Sequence, residues 1–344
     1  MALEGASAAG HELDFVFFEP GPWPDELRRA GFHVDVIAAG RMRQVHRLLA
    51  TVVRLARVLR ARRPELILNW MTKTQVYGAP AAVLAGMGDR VVWWQHGMPG
   101  DWLGRCATWL PAIAIGCTSS TVARAQAHQF PARATFVVAA GARVPPDGAQ
   151  RKPVDLPPGV PVVGIVGRLQ PWKGQDRLLR AHALLRERGH ALHMLVVGGD
   201  AYGLSSEYAT SLPALVAQLG LTDAVTLTGQ VPDAGPYVEQ MDILVNASDP
   251  EPFGLVLLEG MARGVAVVAV NSGGPTEIIE DRHTGVLARS GEPSALADAL
   301  QELLASPPRR LAIAQAGKER FMRDFTDLAM RRRFFDQLER LVTG

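Results

Sequence analysis

Cysteine is nearly absent from this chain of 344 residues, which holds only Cys106 and Cys117. Two thiols without neighbouring ligands form neither a disulfide framework nor a zinc-type ligand set, and they fit a reducing cytoplasm. Long apolar runs are missing too. The uninterrupted ones fall well short of the roughly 20 residues that span a bilayer, so no transmembrane helix is expected. Residues 1–20 carry Glu4, His11, Glu12 and Asp14 with no basic start, so no secretory signal is expected. What remains is an ordinary soluble composition, 48% hydrophobic and 20% charged. That is enough apolar material for two cores in two domains of about 150 residues each.

The net charge of +2 conceals an asymmetry. Residues 1–150 hold 16 Lys and Arg against 11 Asp and Glu, whereas residues 151–344 hold 20 against 23. A basic first half beside an acidic second half suggests different partners for the two.

Short apolar runs alternate with helical patterns along the whole chain. Residues 1–10 read as the tail of a helix ending in a Gly10-His11-Glu12 turn. Strands are expected at 13–18, 33–37, 65–69, 90–94, 112–117 and 135–139, with a short helix at 25–30. Residues 44–62 read as an amphipathic helix, with Val45, Leu48, Leu49, Val52, Leu55, Ala56 and Leu59 on one face. Arg43, Arg47, Arg54 and Arg57 line another face, and eight arginines with no acid lie between Arg41 and Arg63. A solvated outer face is the ordinary reading of that run. Attraction to an anionic membrane surface or a polyanionic substrate is the alternative.

Six prolines within 145–161 read as a linker, after which the rhythm restarts. Strands are expected at 162–167, 192–198, 225–228, 241–246 and 265–270, and helices at 175–187, 212–219 and 253–263. The fold class is therefore α/β: two doubly wound, Rossmann-like domains, at 1–150 and 151–326, facing across a cleft. Residues 327–344 form a basic amphipathic helix, expected to return to the first domain.

Two stretches of the second domain carry chemistry. Between strand and helix, residues 167–174 read Gly-Arg-Leu-Gln-Pro-Trp-Lys-Gly. Such a turn is where open α/β sheets bind phosphates, and Arg168 and Lys173 supply a guanidinium fork and a point charge. Further on, Glu251 and Glu259 stand eight positions apart across an expected helix start. The amides of Phe253, Gly254 and Leu255 would face an anion there. A sugar, a diphosphate and a ribose in line fit that spacing. Taken singly, each feature has a plainer explanation as surface cations, a first-turn acid and a solvated glutamate.

Taken in order, Gly167-Arg-Leu-x3-Lys-Gly174, Gly229-Gln-Val231, Glu251-Pro-Phe-Gly-x4-Glu259 and Gly273-Gly-Pro-x-Glu277 resemble the family 4 retaining glycosyltransferases of the GT-B fold. The resemblance is strong over about 160–305 and rests on rhythm alone over 11–145. It implies that Glu251, the first acid of the acid-x7-acid motif, contacts the donor sugar and that Glu259 holds the ribose. It implies that Arg168 and Lys173 bind the donor diphosphate, that Gln230 and Val231 face the base, and that Gly273-Gly274 packs beside the donor cleft. It also places His96, after the strand ending Trp93-Trp94-Gln95, beside the transferred sugar. The chain has no Asp-x-Asp. That agrees with a transferase in which cations and helix amides, rather than a metal, stabilise the leaving diphosphate, and no cofactor is expected beyond the nucleotide-sugar donor.

The family usually begins with a strand and a Gly-Gly loop ahead of a helix ending in Gly-His-Glu. Here Gly10-His11-Glu12 comes ten residues in, so that strand and loop are missing. The expected function is sugar transfer from a nucleotide-diphosphate sugar to a glycan, lipid-linked or small-molecule acceptor. The expected place is the cytoplasm, with peripheral contact at the inner membrane face and no nucleic-acid partner. A nucleotide-sugar epimerase of the same fold and a catalytically impaired nucleotide-sugar-binding protein remain alternatives.

Overall fold

The computed structural model describes residues 10–40, 44–146, 153–200, 203 and 205–343. The expected helix tail at 1–9, Arg41, Arg43 and part of the proline-rich linker lie outside the described residues. The chain divides into two compact units, Met1–Ala139 with Met330–Gly344, and Ala140–Ala329.

The first unit runs β1 (Asp14–Phe17), α1 (Pro22–Arg29), β2 (His33–Val36), α2 (Val45–Arg62), β3 (Ile67–Asn69), α3 (Thr72–Ala85), β4 (Val91–Gln95), α4 (Trp102–Trp109), β5 (Ala114–Cys117), α5 (Ser120–Ala127) and β6 (Thr135–Val137). Helix starts are chemically marked: the Asp101 side chain accepts from the Gly104 amide and Ser119 from the Val122 amide. All strand pairs are parallel, and β4 and β5 are buried at every position, as a sheet covered on both faces requires.

That sheet is in two pieces. β1 pairs with β2, β3 to β6 pair in sequence order, and among the described residues no ladder joins the pieces. Both nevertheless lie in one layer. Val16 and Phe18 after β1's start pack into the same core as Ile67, whereas Leu13 joins Leu68 against Trp94 on the other side. Phe334 and Phe335, from the last helix, α13 (Asp327–Thr343), complete that second side.

Helix α2 corrects one expectation. Val45 and Leu49 are exposed, and the buried stripe is Thr51, Val52, Leu55, Ala56 and Leu59. Leu48, Thr51 and Val52 of the first two turns do reach the core, whereas Val45 and Leu49 sit at the outer margin of the apolar face, where its period marks no burial.

The second unit runs β7 (Val162–Val166), α6 (Gln175–Glu187), β8 (His193–Val197), α7 (Ser206–Gln218), β9 (Val225–Leu227), α8 (Gly235–Val238), β10 (Ile243–Asn246), α9 (Leu255–Ala262), β11 (Ala266–Val270), α10 (Pro275–Ile278), β12 (Val286–Ala288), α11 (Pro293–Leu304) and α12 (Pro307–Asp324). Its six strands form one sheet ordered β12-β11-β10-β7-β8-β9. The chain moves outward from β7 in one direction, then returns to β10 and moves outward in the other. The switch point between β7 and β10 is where open α/β sheets part their loops and admit a ligand. Residue 142 is tied into this unit: its amide donates to Phe325 O at 3.0 Å and its carbonyl accepts from Asp327 N at 2.9 Å.

Two helix starts differ from the sequence reading. α7 begins at Ser206 rather than 212 and carries Pro213 inside it. Its first turns are polar and hide no apolar period. α9 begins at Leu255, two residues later than the pattern suggests, because Gly254 takes a left-handed conformation (φ 105°) that no helix continues.

Candidate active site

Loops from five strands of the second unit meet at the carboxyl edge of its sheet. They are stitched together by backbone bonds. Gly167 N donates to Val197 O at 3.0 Å, Leu169 N to Gly199 O at 3.0 Å and Gly198 N to Gly229 O at 3.1 Å. On the other side of the switch point, Gly274 N donates to Glu251 O at 2.8 Å. Glycine is needed at these crossings. A Cβ on Gly198 would stand 1.9 Å from Gly167 O, and one on Gly273 (φ 72°) 2.2 Å from Glu251 O.

The loop after β7 presents Arg168 and Lys173 differently. Arg168 is exposed, and its side chain has no partner among the described residues. Lys173 ends a single 3-10 turn, Pro171–Lys173, with its ammonium 4.0 Å from the centre of the Trp172 ring. It also donates to Glu251 Oε2 at 2.8 Å. Glu251 is buried, and Asn246 Nδ2 approaches the same oxygen at 3.4 Å. Arg177 Nη2 clamps the two loops, donating to Ala247 O at 2.6 Å and Trp172 O at 3.3 Å. Lys173 and Asn246 line a small crevice at the ends of β7 and β10, together with Val166, Ser248 and Val256.

The later helix start changes the anion site. The terminal amides of α9 belong to Leu255 and Val256 behind the Gly254 cap, and Phe253 lies before the helix with its ring buried. Glu259 is the fifth helical residue, one turn in rather than two. Its carboxyl is half-buried, and burial raises its pKa above the usual carboxylate range, partly offset by Arg263 and reinforced by Asp233. Gln230 and Val231 sit at the end of β9, Gln230 backbone lying where a Cβ on Gly199 would touch it. Among the described residues, no three His, Cys, Asp or Glu side chains are grouped to hold a metal ion.

His96 belongs to the first unit, just past β4. Its ring lies edge-on to Trp70 (5.1 Å) and Trp94 (6.5 Å), and those two indoles stack on each other at 5.4 Å. Desolvation by these neighbours lowers the imidazole pKa, and a hydrogen bond to the Trp70 backbone partly restores it.

Residues 147–320, about half of the chain, match the family model for glycosyl transferases group 1. The chain belongs to glycosyl transferases group 1. Among curated relatives of this group 1 protein, the D-inositol 3-phosphate glycosyltransferase of Salinispora tropica is 39% identical over 198 residues, 56% of this chain and 41% of that protein. That of Nocardia farcinica is 40% identical over 165 residues, 47% of this chain and 36% of that protein. The chain spans about two fifths of the length of the curated relatives it matches.

Solved structures fix the fold of this group 1 chain. Sucrose-phosphate synthase from Thermosynechococcus elongatus superposes with a TM-score of 0.81 at 22% identity, covering 99% of this chain and 92% of that one. The Anabaena protein HepE in complex with UDP-glucose gives 0.80 at 22% identity, covering 98% and 94%. The architecture is α/β of the GT-B class, with Rossmann-like units.

Asn246, Trp172 and Arg177 escaped the sequence reading. Asn246 was the most legible: a polar residue closing an otherwise apolar strand has to find a buried partner. Arg177 looked like any helix cation, because one of its two carbonyl acceptors, Ala247 O, comes from a loop 70 positions further along the chain.

Proposed function

We propose that this group 1 protein is a retaining glycosyltransferase of the family 4 kind, with Glu251 and Glu259 as its acid-x7-acid pair. It moves a sugar from a nucleotide-diphosphate donor to a glycan, lipid-linked or small-molecule acceptor, in the cytoplasm and without a metal. One observation carries the reading: the cationic loop after β7 and the acidic loop after β10 flank the switch point and touch through Lys173 and Glu251. The names of the curated relatives, D-inositol 3-phosphate glycosyltransferases, support the transferase class. HepE, a fold neighbour solved with UDP and glucose and with UDP-glucose, supports a uridine donor.

The donor diphosphate lies against Arg168, Lys173 and the amides at the Gly254–Val256 end of α9. The ribose hydroxyls donate to Glu259, and the base rests by Gln230 and Val231. The acceptor hydroxyl oxygen bonds to the anomeric carbon as the carbon–phosphate oxygen bond breaks; the electron pair leaves with the diphosphate, whose oxygen takes up the hydroxyl proton. Arg168, Lys173 and the helix amides stabilise that charge where an open metal position would otherwise be needed. The carboxylate of Glu251 orients the sugar hydroxyls. His96, held neutral by its indole neighbours, exchanges hydrogen bonds with the sugar. Catalysis is then largely positioning and electrostatics.

The test is a thermal-shift screen of UDP-, GDP- and ADP-sugars, since donor binding raises the melting point by mass action. Turnover of the stabilising donor is then followed with candidate acceptors in excess EDTA. A glycosylated product of unchanged anomeric configuration is expected. Isomerisation of the donor sugar without an acceptor would make the protein an epimerase, and binding without turnover would make it a binding protein. Activity lost to EDTA and restored by Mn²⁺ would refute the metal-free mechanism.

A further inference from the structure

Helices α2, α3, α4 and α5 cover one face of the first unit's sheet. Leu55, Ala79, Ala107 and Val122, one from each, meet Trp93 and Ile115 in a single core. Three successive crossovers, β3 to β4, β4 to β5 and β5 to β6, put α3, α4 and α5 on one side by the right-handed rule, and α2 packs beside α3. None of the four helices contains an aspartate or a glutamate.

Their outer side is basic and apolar at once. Arg54, Arg57 and Arg105 are exposed and make no ion pair among the described residues. Arg62 is different, lying 3.8 Å from Asp14 and 3.9 Å from Asp35. Beside the free guanidiniums, Val45, Leu49 and Val53 make an exposed stripe at four-residue steps along α2. On α4 the exposed face reads Trp102, Arg105, Cys106, Trp109, with the two indoles 68% and 62% exposed. Phe130, 74% exposed, stands edge-on to Trp109 at 5.2 Å.

Single exposed apolar residues are ordinary, but three bare aromatics about the unpaired Arg105, on the same layer as Arg54 and Arg57, are not. We propose that this four-helix layer is an interfacial face that seats the protein on an anionic lipid bilayer. Indoles lodge at the headgroup level, aliphatic side chains enter the acyl boundary, and arginines meet lipid phosphates. The complementarity is largely one-sided, since the four helices carry no carboxylate and Asp101, beside Trp102, is engaged at the Gly104 amide as the cap of α4. Binding here needs neither donor nor acceptor, so it stands or falls apart from the transferase reading.

The chain's two cysteines permit a direct test. Cys106 is exposed within the patch, while Cys117 is buried with its thiol pushed up to about 12, so an environment-sensitive maleimide dye marks Cys106. The labelled protein is mixed with vesicles of phosphatidylcholine alone or with added phosphatidylglycerol, at low and raised salt. A blue shift and co-sedimentation with the anionic vesicles are expected, weakening as salt rises. Arg54→Gln with Arg57→Gln should lower partitioning about 25-fold, about fivefold for each arginine. Trp102→Ala with Trp109→Ala should lower it too, and Arg29→Gln, on α1 outside the layer, should leave it unchanged. Equal sedimentation with both vesicle types, or none, would overturn the proposal. So would an unshifted dye on vesicles alongside salt-sensitive binding of duplex DNA, which would assign the face to a nucleic acid.

Discussion

The Lys173 ammonium lies 2.8 Å from Glu251 Oε2, although 78 positions separate the two residues. Each comes from a loop on its own side of the β7–β10 switch point, and the carboxylate is the more deeply buried partner. Without donor, the lysine neutralises the acid. On the proposed reading, a bound diphosphate would compete for the same ammonium and free the carboxylate toward the sugar.

The two cations of the β7 loop therefore separate in their effects. Arg168→Ala should weaken UDP binding by about 1.5–3 kcal/mol, the range for hydrogen bonds to charged groups, and leave stability unchanged. Lys173→Ala should weaken binding similarly and also cost roughly 1–3 kcal/mol of stability, because Glu251 loses its charged partner. Calorimetric titration with UDP and urea denaturation read the two quantities. Equal stability losses in both variants would remove the distinction.

A glycine comparison checks how the acidic loop is held. Gly273 and Gly229 both have positive φ, at 72° and 70°. A Cβ on Gly229 meets nothing within 4 Å, whereas one on Gly273 reaches the Glu251 carbonyl. Gly229→Ala should cost only the backbone strain, about 1 kcal/mol. Gly273→Ala should cost more and depress turnover by shifting Glu251. Melting points that fall together would contradict the close approach.

Glu259 gives a pH signature. Burial raises its pKa, so the folded state holds this proton more tightly than the unfolded chain does. Stability is then lost as pH rises from the ordinary carboxylate range through the raised value. Glu259→Gln should make the protein more resistant to urea at pH 7 than the wild type, with no gain at acid pH. UDP affinity should fall by about 1.5–3 kcal/mol if the carboxylate holds the ribose. A variant no more stable than the wild type at pH 7 would count against it.

His182 produces the opposite slope. It is buried in α6 with Nδ1 unpartnered, and desolvation, then His193 and Arg186, push its pKa down to about 4. The unfolded chain takes up this proton first, so stability is present above pH 6.5 and is lost as pH falls toward about 4. The loss is of the order of 3 kcal/mol. His182→Leu, apolar and of similar size, should flatten it, which urea midpoints at pH 7 and pH 4.5 would show.

Local chemistry alone determined much of this protein. Residues 175–187 form α6 at both ends as the 3.6-residue period suggests, framed by Gly174 and the Gly189 turn. The βα alternation, the Arg168–Lys173 loop and the paired glutamates were legible because each depends on neighbours within one or two turns. Tertiary structure decided the rest. α9 starts at Leu255 because the backbone of residues 251–253 is already held against Gly273 and Gly274, from the next strand. Leu55 is buried and Leu49 is not, because six positions turn the two about 120° apart around α2, and tertiary packing decides how wide a face the core covers, reaching Leu48 and Val52 but not Leu49. The pairing of Lys173 with Glu251 required β7 and β10 to become neighbours, an adjacency fixed by sheet topology and by no local pattern.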